Sequence, residues 1–282
     1  MTDAVPAAEY GALLRVAVDV AAEAAELVRR ERRKGVEVAG TKSSPIDVVT
    51  EADKATERLI FDRLSAARPD DGFLGEEGGS SASSSGVVWV VDPIDGTVNF
   101  LYGIPQYAVS VAATVDGRSV AGVVVDVAGG ETFTATLGGG ARRDDVPLDL
   151  SGVAPQPLAK RLVGTGFNYV REVKLRQADA VARLLHEVRD IRRMGSAALD
   201  LCAVAAGRLD GYVEEGLNAW DMAAGGLVAT EAGALLERRT GAGGTDCYLC
   251  SPAAGFPEFR DLVERCGFLD AQDGNQPGNS SV

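Results

Sequence analysis

Asp92-Pro-Ile-Asp95-Gly-Thr97 sets two carboxylates at the end of the apolar run Val87 to Val91, which is predicted to be a buried strand. Strand ends are where open α/β sites gather their ligands. Pro93 fixes the turn, Gly96 permits close backbone approach, and Thr97 can open a helix whose free N–H groups face an anion. A phosphate and a hard cation could share such a pocket. Two aspartates do not complete it, because magnesium wants a near-octahedral set of oxygens. Further acids stand in Gly75-Glu76-Glu77-Gly78-Gly79 and in Trp220-Asp221-Met222-Ala-Ala-Gly225. Singly, each has a plainer reading: Asp221 as a helix cap, Glu76 and Glu77 as a solvated turn, Asp92 and Asp95 as caps. Together they are more specific.

Composition narrows the alternatives. The single histidine, His186, lies in a helix-like LLHEVRD stretch and disfavours phosphohistidine, Ser-His and histidine-rich di-metal chemistry. The four cysteines make no dense disulfide framework, and Cys247 and Cys250 form a lone CxxC without a second ligand pair for zinc, so reduced, partly buried thiols are expected. A formal net charge of -13 argues against nucleic acid and anionic membranes as partners. The opening MTDAVPAAEYGALL lacks the features of a signal peptide, and no stretch approaches the ~20 apolar residues of a membrane span. A cytoplasmic protein is expected. At 282 residues and 46% apolar, the chain can bury a sizeable core.

The elements that position these residues follow from pattern. Apolar residues at helical spacing predict a long helix from Glu9 to about Lys34, ending in RRERRK. A second helix starts near Thr50, where Thr50 and Asp53 imitate a capping box, and stops before Pro69. Ser80 to Gly86 reads as a mobile surface loop. Strands are expected at 87–91, 108–115, 120–127 and 132–136, with short turns between the later ones that imply antiparallel pairing. After the link at 151–157, strand and helix alternate: strands at 162–165, near Ile191, at 211–213 and near Leu235 and Tyr248, and helices at 173–188, 196–206, after Trp220 and at 258–266. Three parts are expected: 1–150 with an antiparallel sheet and most of the acids, 151–270 as an α/β part with Asp221, and a disordered tail at 271–282.

Gly75-Glu76-Glu77, the run from Trp89 through Asp92-Pro-Ile-Asp95-Gly-Thr97 to Asn99-Phe100, and Trp220-Asp221 to Gly225 resemble the three signatures of the inositol monophosphatase family, in order and spacing. Lys42 to Thr50 and Gly195-Ser196-Ala197-Ala198-Leu199 are similar to two further family segments, and the resemblance runs from about Ala7 to Cys266. It implies a layered αβαβα sandwich and Mg2+-dependent hydrolysis of a phosphate monoester without a covalent intermediate. Two or three Mg2+ per site are implied, held by Glu76, Asp92, Asp95, Asp221 and the carbonyl of Ile94, with lithium inhibitory. Thr97 would orient and deprotonate the attacking water, with Asp47 as its partner and Glu76 as another candidate. The N–H groups of Gly96 and Thr97 would cradle the phosphate, while Gly195, Ser196, Ala197 and Glu214 would meet substrate hydroxyls. A homodimer is a further family expectation. Glu215, beside Glu214, departs from the commonest pattern and puts sugar specificity in doubt.

The resemblance favours inositol 1-phosphate, with fructose 1,6-bisphosphate, histidinol phosphate and 3'-phosphoadenosine 5'-phosphate as alternatives. A haloacid-dehalogenase phosphatase would show D-x-D-G-T; here the aspartates are one residue further apart, with a proline between. A non-enzymatic regulatory protein that retains the fold is the remaining alternative, though no long charged arm or exposed apolar helix supports it.

Overall fold

The apolar stripe from Leu13 to Val28 does form a helix, α1 (Tyr10–Lys34), and lies buried against a sheet. The protein is described by a computed structural model over residues 5–36, 38–41 and 48–270, so the segment 42–47, including Asp47, and the tail 271–282 lie outside the described residues. Strands β1 (Val38–Thr41) and β2 (Val48–Thr50) pair antiparallel and lead into α2 (Glu51–Ala67). There the expected capping box forms, Thr50 and Asp53 each bonding the other's backbone.

Eight strands build the first sheet: β3 (Gly72–Gly75), β4 (Ser80–Ser81), β5 (Val87–Asp95), β6 (Ala108–Val115), β7 (Arg118–Asp126), β8 (Thr132–Thr136), β9 (Gly140–Arg143) and β10 (Val146–Leu148). Their order is β10-β9-β8-β7-β6-β5-β3-β4, antiparallel at every neighbour except β3 with β5. Side chains alternate across it. Val87, Trp89, Val91, Val109 and Val111 pack on α1 and α2, while Ala108, Ala112 and Val124 face the other way. That second face is covered by α5 (Ala197–Ala205) and α6 (Ala219–Glu231), and small residues set how close α6 comes. A Cβ on Gly122 would stand 3.1 Å from the Cα of Ala224, and one on Gly225 2.9 Å from the carbonyl of Ala198.

Beyond that helical layer lies a mixed sheet of β11 (Leu162–Thr165), β12 (Asp190–Arg192), β13 (Gly211–Glu215), β14 (Ala234–Thr240) and β15 (Asp246–Pro252), in the order β12-β11-β13-β15-β14. Its outer face is covered by α4 (Arg171–Leu184) and α7 (Phe256–Cys266), through a core that includes Val163, Leu184, Phe259 and Leu262. A short helix, α3 (Thr97–Tyr102), follows β5. Helices and sheets therefore alternate in five layers, the expected αβαβα sandwich. Among the described residues no helix is long and apolar enough to cross a membrane.

Two local expectations differ. The serine segment 80–86 is a pinned turn: Ser80–Ser81 pair with β3, the amides of Ser84 and Ser85 bond the carbonyl of Asp70, and the Ser85 hydroxyl donates to Asp71 at 2.6 Å. Composition alone does not show such partners. The β9–β10 hairpin was not expected, because its sequence is mostly polar; Asp144 and Asp145 make its two-residue turn at φ 46° and 65°. His186 sits exposed in the turn after α4, and all four cysteines are buried and free.

Candidate active site

The strand β5 ends with Asp92 and Asp95, paired with Ser110 and Ala108 of β6 across a shift in register, and both are almost fully buried. Asp221 arrives from the first turn of α6, where it accepts from the N–H of Asn218 at 2.6 Å in a capping box. Ligand oxygens of Asp92, Asp95 and Asp221 all lie within 4.8 Å of one another. Glu76 stands beside them: its N–H bonds the carbonyl of Val91 at 3.2 Å, and its carboxyl shares a hydrogen bond with Asp92. The structure thus gathers the sequence-predicted acids from two strand ends and one helix start.

Without a cation such a set resists carrying all its charges. Burial first, then the nearby charges of Glu76, Asp95 and Asp221, push Asp92 well above the usual carboxylate range. Asp221 is raised in the same way, by burial and by Asp95. Asp95 is raised to about 7 by burial, although hydrogen bonds from Ser196 and Ala198 pull it down. The donor set, three clustered carboxylates with the carbonyl of Ile94 next to them, is hard and anionic, and suits Mg2+.

Thr97 has a partner that the sequence reading did not name. Its hydroxyl lies 3.0 Å from Oδ1 of Asp53 and 3.1 Å from the carbonyl of Ile94. Asp53 is therefore an acid on Thr97, while the expected partner Asp47 lies outside the described residues. Its other oxygen, Oδ2, accepts from the amide of Thr50 at 2.8 Å and from the Thr50 hydroxyl. The capping box named Asp53 in the sequence but concealed this second role.

Glu57, also missed, accepts from the amides of Glu77 at 2.7 Å and Gly79 at 3.0 Å, and so shapes the loop that carries Glu76. A side chain on Gly75 would collide with this carboxyl, so the glycine is needed there. Gly96 has the same kind of reason: at φ 98°, a Cβ would meet the carbonyl of Gln106 at 2.8 Å and that of Gly195 at 3.2 Å.

The predicted substrate contacts sit on the opposite wall. Ser196 caps α5, and its hydroxyl donates to Oδ2 of Asp95 at 2.6 Å, as does the amide of Ala198 at 2.7 Å. The Ser196 side chain thus holds a carboxylate rather than facing open space, and Ala197 behind it is 7% exposed. Glu214 is half-buried, accepts from the hydroxyl of Tyr212 at 2.7 Å, and is raised by burial against the pull of Tyr212 and Arg193. Gly166 leaves room for its carboxyl. Glu215 points elsewhere: it is 2% exposed and accepts from the amides of Gly243 and Thr245 and the Thr245 hydroxyl, pinning the β14–β15 turn. Its extra charge is structural and does not enter the site.

Thr97, Asp53, Ser196 and Asp221 each stand in the first turn or at the cap of a different helix, so four helix N-termini converge on the carboxylates. Their partial positive charge suits a site that must hold anions.

Residues 10–256 match the model of the inositol monophosphatase family. An inositol-1-monophosphatase SuhB of Mycobacterium tuberculosis is 48% identical over 272 residues, covering 90% of this chain and 93% of that protein. The solved structure of Mycobacterium tuberculosis SuhB superposes with a TM-score of 0.78 at 43% identity, covering 92% of this chain and 98% of that one. A Pasteurella multocida protein named Nus factor SuhB is 40% identical, covering 79% of this chain and 84% of its own. With the carboxylate cluster, the Thr97 arrangement and the five layers on the same chain, these similarities show that the protein belongs to the inositol monophosphatase family.

Proposed function

We propose that this chain hydrolyses a polyol phosphate monoester in a Mg2+-dependent reaction, with inositol 1-phosphate as the preferred substrate. The observation that carries the reading is the convergence of Asp92, Asp95 and Asp221 within 4.8 Å, with Thr97 and Asp53 beside them. Asp92, Asp95, Asp221, Glu76 and the Ile94 carbonyl would hold the metal. When bound, Mg2+ supplies Lewis acidity toward phosphoryl oxygens and lowers the pKa of water.

The chain's own residues do the rest. With its proton directed to Asp53, the Thr97 hydroxyl keeps lone pairs free to accept from a water and orient it, and Asp53 provides the basic end of that relay. The amides of Gly96 and Thr97, at the start of α3, offer donors to the phosphate. Glu214, fixed by Tyr212 through one oxygen, keeps the other for a substrate hydroxyl. Gly195 and Ser196 bring the opposite wall against Gly96 and Asp95 and close the pocket. A homodimer belongs to the same reading, and light scattering would test it.

The test is phosphate release from inositol 1-phosphate with and without Mg2+, beside fructose 1,6-bisphosphate, histidinol phosphate and 3'-phosphoadenosine 5'-phosphate. Metal-dependent turnover highest on inositol 1-phosphate supports the proposal; a higher rate on another member of the panel reassigns the substrate. Failure to cleave any of them favours the regulatory alternative, which the name of the Pasteurella relative keeps in view.

A further inference from the structure

The helical layer between the two sheets stops at α6, and β14 beyond it is an edge strand. A groove of about 590 Å³ is left there, lined by Leu74, Val88, Val90, Ala223, Leu227 and Leu236. Small-ligand sites run from about 300 to 1,000 Å³ and combine apolar walls with a few polar groups. Leu74, Val88, Ala223 and Leu236 are only partly buried, so the walls hold apolar surface that a ligand would cover.

The groove's charged groups are three and unequal. Arg238 is paired with Asp246 at 3.5 Å, and both oxygens of Glu231 accept from the amides of Gly138 and Gly140. The side chain of Arg118, in the same lining, makes no hydrogen bond or ion pair among the described residues. An apolar trough with one uncommitted guanidinium complements a molecule with an aliphatic body and a single anionic head, since arginine pairs bidentately with carboxylates.

We propose that this groove is a second binding site, for an aliphatic monocarboxylate whose chain lies along α6 against β5 and whose head group meets Arg118. It lies behind the catalytic cluster: Leu74 and Val90 each precede a site acid by two residues, Glu76 and Asp92.

Dansylated undecanoate is the probe, titrated by fluorescence into the full chain, with decanoate, decanol and acetate as competitors below their micelle concentrations. Saturable binding is expected, displaced by decanoate and at least about tenfold less well by decanol or acetate. Arg118→Gln should weaken binding about tenfold. Leu236→Trp, which fills the trough, should abolish it. Arg118 is exposed and unpaired, so its variant should fold even if Leu236→Trp does not. Absence of saturable binding, unchanged binding in Arg118→Gln, or equal competition by decanol would each overturn the proposal.

Discussion

Asp95 lies where burial opposes the charge that a metal site needs. Its carboxyl is raised from 3.8 to about 7, so without metal it favours the folded state most below about pH 4, and that contribution is lost as pH rises through about 7. Metal-free protein should therefore melt at a lower temperature at pH 8 than at pH 6, and Asp95→Asn should flatten this slope; scanning fluorimetry in chelator reads both. The same variant should lower kcat/KM by at least about a thousandfold, while its metal-free stability holds because one like charge has left the cluster. Asp53 calls for a paired comparison. Thr50→Ala removes a capping hydroxyl and should cost about 1 kcal/mol with little change in kcat. Asp53→Asn should lower kcat about a hundredfold, through Thr97. Equal kcat losses in the two variants would reduce Asp53 to a cap. The clustered acids could be found in the sequence because they sit in short, distinctive runs. Asp53 could not be assigned, because a local pattern shows only its near partner, while Thr97 lies 44 residues away.

Elements carry the site by holding loops in place. Glu57, on α2, fixes the loop behind β3, and Glu57→Gln should raise the Mg2+ concentration for half-maximal activity about tenfold while the fold stays intact. Glu215 is the contrasting acid. Glu215→Ala should destabilise by about 1 kcal/mol, since it removes the buried acceptor that the donors of Gly243 and Thr245 share, yet KM should stay within about twofold. A large KM change would return Glu215 to the substrate wall. Long periodic elements such as α1, β6 and α5 were legible because burial on one or both faces imposes their pattern. The β9–β10 hairpin and the pinned 80–86 turn were not, because side chain–backbone bonds and a pair of left-handed aspartates hold them, not apolar periodicity.

On the scale of the molecule, the site exists only where the layers meet. A cation that binds the folded cluster and not the open chain should stabilise it by about 2.7 kcal/mol at a hundred times its dissociation constant, seen as a rise in Tm that chelator reverses. The alternation of hairpins with strand–helix units made the layered fold readable from sequence, whereas the closeness of the layers depends on contacts such as Gly122 with Ala224 and Gly225 with Ala198, which pattern does not reveal. The bond from Ser196 to Asp95 spans 101 residues. On the ribosome Asp92 and Asp95 are therefore made about a hundred residues before α5 and α6, and for that interval a nascent chain carries these acids without Asp221 or the cap that steadies Asp95. The order of synthesis thus leaves the cluster incomplete until the last layers dock.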